Sequence, residues 1–197
     1  MDDIVRQALA KWPNVPHCTG WLLLDRRGNW RMRDDAAQAA GAPGDPIRHT
    51  ALLGFINRNY DADADGQWFF QNGPQRVYVE LAYTPWIVRL SVMNGALTLA
   101  DQAGEPFEPA ATYLDDAGGV LFTASPDPTH ALPRVAALHD HDLDLFSAHA
   151  DLSDDGTSGE FHWRADVTLP LHAVRCDDVP TRFGFVASPA ARAARES

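Results

Sequence analysis

His139, Asp140, His141, Asp142 and Asp144 put two imidazoles and three carboxylates within six residues, with His149 and Asp151 just downstream. Imidazoles and carboxylates are the ligands of zinc, manganese and non-haem iron, and His-x-His on a strand turns both rings to one face. Read as a metal centre, His139, His141 and Asp144 are the ligands and the chemistry is metal-dependent hydrolysis. The same residues also read as an acidic helix start. Asp140 or Asp142 would cap it, Asp144 would sit in the first turn where the helix dipole favours negative charge, and Leu143 and Phe146 would enter the core. No His-Glu-x-x-His or comparable signature accompanies the cluster, so the helix start is the preferred reading.

Three other groupings could carry chemistry. His17-Cys18 beside Gly20 would make a thiol–imidazole pair, but adjacent side chains in a turn or strand point apart, and a turn with a buried thiol is favoured. Asp61, Asp63 and Asp65 followed by Gly66 resemble the first half of a calcium loop, yet the position needing a bidentate Glu is Asn72. The glycine pairs around residues 41–44 and 118–119 lack both a P-loop lysine and a Gly-x-Gly-x-x-Gly, so no nucleotide and no other cofactor is expected.

Composition narrows the partners. The chain has 197 residues, 45% of them apolar, enough to bury a core. Its net charge of −11 is uneven, because residues 1–98 hold ten basic and ten acidic side chains and residues 99–197 hold six and seventeen. No basic track is present to displace counterions, which argues against nucleic acid and against an anionic membrane surface. No segment approaches the ~20 apolar residues of a membrane helix, and Met1-Asp2-Asp3 is the opposite of a basic secretory leader. A soluble, cytoplasmic protein is the expectation, with Cys18 and Cys176 unpaired.

The elements that would position these residues are mostly hairpins. Asp65-Gly66, the aromatic run 68–70, then Asn72-Gly73-Pro74 and the alternating stretch 75–81 spell a β-meander. The Asp25–Gly28 turn returns the strand 21–24 as Trp30-Arg31-Met32-Arg33, and Asn94-Gly95 makes a further hairpin. Asp45-Pro46 opens the clearest helix, carrying Ile47, Leu52, Phe55 and Ile56 to about Tyr60. Residues 101–111 read as a crossing between halves, 126–133 as a proline-rich loop, 140–150 as the acidic helix, and 155–159 as a hairpin. Strands follow at 161–167 and 169–174, and the tail from 189 reads as frayed. Helix, Asp-Gly turn, aromatic strand and alternating strand occur in the same order in both halves. The expected fold is α+β with two similar lobes, residues 1–98 and 99–197, each a small antiparallel sheet with a packed helix.

Gly44-Asp45-Pro46-Ile47-Arg48, Asp65-Gly66-Gln67-Trp68-Phe69-Phe70, Gly73-Pro74-Gln75-Arg76-Val77-Tyr78-Val79-Glu80 and Tyr83-Thr84-Pro85-Trp86 occur in one order, behind Trp12-Pro13, Cys18-Thr19-Gly20 and Gly28-Asn29-Trp30. In these motifs the chain resembles an uncharacterised proteobacterial domain-of-unknown-function family. It is similar to a second such family, with Cys-Gly, Asp-Gly-x-Trp, Gly-x-Pro-Ile-x-Arg and a proline–aromatic pair at the same relative places. The resemblance covers roughly the first ninety residues well and the second half in outline. It implies two related α+β lobes, no established enzymatic activity, and at most a role in ligand sensing or signalling. It supplies no functional residue, and this chain departs from the second pattern with Cys-Thr-Gly in place of Cys-Gly.

The aromatics supply the remaining candidate. Trp21, Trp30, Trp68, Phe69, Phe70, Tyr78, Tyr83 and Trp86 crowd the first half, more than one sheet face can bury. A subset could line an apolar pocket rimmed by arginines and suited to an anionic or planar ligand, with Trp30, Arg31, Trp68, Arg76, Trp86 and Arg89 as its residues. Three functions are therefore weighed. The first is a non-enzymatic module, signalling included, for a small molecule or protein partner, a second copy of the chain among them. The second is a metal-dependent hydrolase at His139 and His141, and the third an assembly protein joined through an exposed edge strand.

Overall fold

A computed structural model describes residues 1–125, 133–153 and 158–196. The chain forms two compact units, Met1–Asp25 with Asn29–Tyr83 and Gly184–Ser197, and Arg26–Gly28 with Thr84–Phe183. The expected boundary after residue 98 falls inside a strand that pairs into the second sheet, so the division comes instead after Tyr83.

In the first unit, α1 (Asp3–Lys11) precedes β1 (Cys18–Leu24) and β2 (Trp30–Met32), followed by α2 (Asp35–Ala39) and β3 (Asp45–Pro46). Next come α3 (Thr50–Arg58), β4 (Tyr60–Ala62), β5 (Trp68–Asn72) and β6 (Gln75–Leu81). Among the described residues these strands form a six-stranded sheet ordered β3-β2-β1-β6-β5-β4. In the second unit β7 (Trp86–Met93) and β8 (Ala96–Asp101) lead to β9 (Pro109–Asp115), β10 (Val120–Ala124) and β11 (Val135–Leu138). Then follow α4 (Leu143–Ser147), β12 (Ala150–Leu152), β13 (Gly159–Arg164), β14 (Val167–Val174) and α5 (Val179–Phe183). The second sheet has eight strands among the described residues, ordered β12-β13-β14-β9-β10-β11-β7-β8. The fold is α+β.

Both sheets are mixed rather than antiparallel throughout. The chain leaves β1, makes a hairpin, passes through a helix and a second hairpin, and returns as β6 parallel to β1. The second unit repeats this path, with β14 returning parallel to β9, so the order 3-2-1-6-5-4 recurs as 11-10-9-14-13-12. Parallel neighbours need such a crossover, whereas a tight hairpin can only yield antiparallel ones.

Among the described residues one turn occurs four times, at Asp25–Asn29, Asp63–Gln67, Asp101–Glu105 and Asp115–Gly119. In each, the Asp backbone N–H donates to the carbonyl four residues on, at 2.8–3.0 Å. Its Oδ1 accepts the amide of that same residue, at 2.6–3.1 Å. A glycine at the fourth position has φ between +78° and +85°. A turn ending in a left-handed residue matches the twist of the strands it joins, and glycine takes that conformation without a Cβ clash.

Several local expectations change. Asp45-Pro46 does not start the helix, because Pro46 pairs with Arg31 at the sheet edge, where a missing N–H does no harm. The helix begins at Thr50, with His49 Nδ1 accepting the Leu52 amide. Residues 101–111 do not cross between halves; Asp101 turns the chain, Phe107 is buried, and β9 follows within the same unit. The acidic helix is shorter than expected, a 3-10 turn at Asp140–Asp142 running into α4. The tail is not frayed over its described part but forms α6 (Pro189–Glu196). The buried Glu80 carboxylate accepts from Ser188 Oγ at 2.5 Å and from the Ala190 amide at 3.0 Å, capping that helix. The 155–156 turn and all but the last residue of the 126–133 loop lie outside the described residues.

Gly66 tests how far the recurrent turn constrains the sheet. A Cβ there would lie 2.3 Å from the Gly184 carbonyl oxygen at φ +81°, whereas at Gly73, φ +57°, it would meet nothing within 4 Å. Gly73→Ala should cost about 1 kcal/mol from backbone conformation alone. Gly66→Ala adds overpacking and should cost about 3 kcal/mol. Urea unfolding of the two variants measures the difference, and equal losses would refute the close approach.

Candidate functional site

Alternation along the strands decides which candidate residues share a surface. Phe70 pairs with Val77 and Gln71 with Arg76, so Trp68 and Phe70 lie on one face and Phe69 and Arg76 on the other. Trp30 lies on the α3 face, its Nε1 donating to Asn57 Oδ1 at 2.7 Å, in an aromatic chain with Tyr60 and Trp68. Trp30 and Trp68 are buried there as core. Arg31 points oppositely, its Nη2 donating to the Gly44 carbonyl at 2.9 Å and its Nη1 to Asp25 Oδ2. Arg76 lies over the Phe69 ring, 4.4 Å from its centroid. Trp30 and Trp68 therefore occupy the face opposite Arg31 and Arg76, and the four do not enclose one pocket.

Trp86 and Arg89 belong to the second unit and also project to opposite sides of β7. Trp86 is buried beneath the Arg134 guanidinium, 4.4 Å from its centroid. Arg89 donates from Nε and Nη2 to the two Asp142 oxygens at 2.6 and 2.9 Å, and Asp142 Oδ2 also accepts the buried Leu90 amide.

That ion pair organises the histidine cluster. His139 is buried, and its Nδ1 accepts the His141 amide at 3.1 Å, so it caps the 3-10 turn that the sequence suggested Asp140 or Asp142 would cap. The two rings meet at 4.7 Å, but Asp142 is turned to Arg89 and Asp144 lies exposed on α4. Among the described residues no three His, Cys, Asp or Glu side chains gather in a group able to hold a metal ion. The calcium-like loop is similarly engaged, with Asp63 accepting from the Asp65 and Gln67 amides and from Tyr78 Oη.

A concave surface of the first unit lies elsewhere. A cavity of about 210 Å³ sits between α3 and the sheet, lined by Leu52 and Ile56 of the helix and by Cys18, Trp21, Leu22, Met32, Ile47, Phe70, Asn72 and Val77. None of these residues is charged. Trp21 and Leu22 both line it although neighbours in a regular strand face opposite ways. The cause is a register break: Cys18 pairs with Val77 and Leu22 with Val79, so four steps along β1 match two along β6. Trp21 and Met32 remain 41% and 47% exposed at the mouth. Burial pushes the Cys18 thiol above its ordinary range, so it is protonated at neutral pH. The sequence pattern showed Leu52 and Ile56 on one helix face, but nothing in it marked the break in β1 that opens the space.

Two groups around Asp142 fix an acid response. Burial, then the nearby Arg89 charge, hold the His139 imidazole below its ordinary 6.5, against the opposite pull of Asp140 and Asp142. For Asp142 burial acts to raise the pKa, but the Arg89 and Leu90 hydrogen bonds prevail and hold it below 3.8. In both cases the unfolded chain binds more protons, so stability falls on acidification. The His139 share is complete above about pH 6.5 and is lost as pH falls from there towards its folded value. The Asp142 share goes only below about pH 3.8, as pH falls through its own folded value. His139→Asn, which can still accept the His141 amide, should flatten the fall in unfolding free energy between pH 7 and 5.5. An unchanged slope in urea titrations across that range would count against the assignment.

Comparison with known proteins adds a family. A chain of 220 aligned positions in the "Probable translation initiation factor IF-2" of Haloquadratum walsbyi (strain DSM 16790 / HBSQ001) is 32% identical, covering 99% of this chain and 36% of that protein. This chain thus spans about a third of the length of the curated relative it matches. A DUF1285 family protein from Silicibacter pomeroyi DSS-3 aligns with 88% of this chain and 97% of its own at 14% identity and a TM-score of 0.48. Another from Shewanella baltica OS155 aligns with 66% of this chain and 91% of its own at 12% identity and a TM-score of 0.43. The profile described as "Protein of unknown function (DUF2946)" matches residues 1–190, and by that near-complete match the chain belongs to that family.

Proposed function

We propose that the chain is a non-enzymatic binding module that takes a small, neutral, apolar molecule into the cavity beneath α3. The observation that supports this is an uncharged lining opening past the half-exposed Trp21 and Met32. Such a site gains affinity by removing apolar surface from water, roughly 25 cal/mol per Å². Asn72 and the protonated Cys18 thiol supply orienting polar atoms, the arrangement common to ligand sites. The volume of about 210 Å³ lies below the ~300–1,000 Å³ of drug-sized pockets and restricts the occupant to a compact molecule.

A metal-dependent hydrolase at His139 and His141 is the weaker reading. The His139 Nδ1 lone pair is engaged by the His141 amide and the nearest carboxylates by arginines. Two half-buried cysteines outside any disulfide suit a reducing compartment, and a cytoplasmic setting belongs to the same reading.

Cys18 makes the proposal measurable. A panel of neutral indoles, phenols and short aliphatic alcohols should contain members that raise the thermal midpoint and slow maleimide labelling of Cys18, leaving Cys176 unaffected. Ligand at a hundredfold excess over Kd stabilises by about 2.7 kcal/mol. Leu52→Trp, which fills the space, should abolish both effects. If protection is absent across the panel, or persists unchanged in Leu52→Trp, the cavity is not the binding site.

A further inference from the structure

In the second unit β9 and β14 are adjacent and parallel, pairing from Leu171 with Thr112 to Val174 with Asp115, so their carboxyl ends stop side by side. Loops leaving the carboxyl ends of parallel neighbours diverge and leave a crevice where ligands bind in open sheets. Here a cavity of about 470 Å³ occupies that place. Leu114, Ala173 and Val174 give it apolar lining at the strand ends, and Asp115, Asp116, Arg175, Asp178 and Arg182 supply its charges.

The charges at the rim divide into engaged and available. Asp116 accepts the Cys176 amide at 2.7 Å, a contact that pulls its carboxyl below the ordinary range and ties the turn after β9 to the segment after β14. Arg182 lies over the Tyr113 ring at 4.9 Å and gives the Ala173 carbonyl one long bond of 3.4 Å from Nη1, leaving most of its donors uncommitted. Arg175 acts through its charge on the neighbouring Asp116 carboxylate, which is itself bonded to the Cys176 amide, and its guanidinium, like the Asp178 carboxylate, lines the crevice.

We propose that this crevice binds a small zwitterion of the amino-acid class with an apolar side chain. Its carboxylate is held by Arg175 and Arg182, its ammonium by Asp178, and its side chain rests on Val174, on the face where Arg182 lies over Tyr113. Guanidinium–carboxylate pairs supply the geometric selectivity, and an apolar lining beside paired charges suits an amino acid better than a polyanion in a chain of net charge −11. The site is separate from the cavity beneath α3 and does not depend on it.

Isothermal titration of the full chain with leucine, isoamylamine and 4-methylpentanoic acid tests the class. Leucine should bind saturably, and each analogue lacking one charge should bind about tenfold or more weakly, the loss of one charge-assisted contact. Asp178→Asn should weaken leucine without weakening the acid. Arg175→Met should weaken leucine and the acid without weakening the amine. These residues are exposed at the rim, and circular dichroism of each variant checks that it is folded. Leu52→Trp should leave leucine binding unchanged. Absence of saturable binding, equal affinity for leucine and the acid, or loss of leucine binding in Leu52→Trp would each overturn the proposal.

Discussion

The aspartate-centred turn is the constraint on which both sheets depend. A carboxylate at its first position accepts the amide four residues on, while the backbone of the same aspartate donates to that residue's carbonyl. The pair of contacts fixes loop length, and a fixed loop length fixes register. A slip of one residue would turn every side chain to the other face. In the first unit that slip would carry Trp68 and Phe70 out of the α3 core and bring Phe69 and Gln71 in. The turn at Asp63 prevents it and also receives Tyr78 Oη from β6, so one side chain holds three strands in phase.

Fixed register is what separates the two classes of residue that composition places together. Tryptophan and arginine follow one another at Trp30-Arg31, and a regular strand must send them to opposite faces. Trp30 and Trp68 then become core under α3, and Arg31 and Arg76 of the other face are taken up by local partners, Arg31 by Gly44 and Asp25, Arg76 by Phe69. A mixed aromatic–arginine pocket could not arise from these strands without a break in alternation. The break that does occur is in β1, between Cys18 and Leu22, and it opens an uncharged space.

Turns and strands were legible because their signals are local: Asp-x-x-Gly, Asn-Gly and two-residue alternation each act within a few positions. Asn94-Gly95 shows this well, its two positive φ values joining β7 to β8 as the dipeptide implies. Contacts distant in sequence escaped. Nothing near Ser188 announces that Glu80 will cap α6, 108 positions apart, so an Arg/Ala-rich tail reads as frayed. Asp45-Pro46 carries a sound local helix-start signal, yet pairing with β2 prevails over it. The histidine cluster was correctly placed at a helix start, but the capping group is an imidazole, because Asp142 is drawn to Arg89 on a distant strand.

The same strand path is filled differently in the two units, and this explains where empty space can persist. In the second, α4 is five residues long and sends Phe146 down onto the sheet, stacked on Phe161 at 4.8 Å and edge-on to Phe122 at 6.1 Å. Three large rings interlock beneath the helix. In the first, α3 is nine residues long, with Phe55 meeting Phe70 at 5.4 Å towards one end and the aliphatic Leu52 and Ile56 over the region where β1 departs from β6. Aliphatic chains do not reach a strand that has bulged away, and close packing fails there. An apolar void of this kind forfeits dispersion contacts unless something fills it.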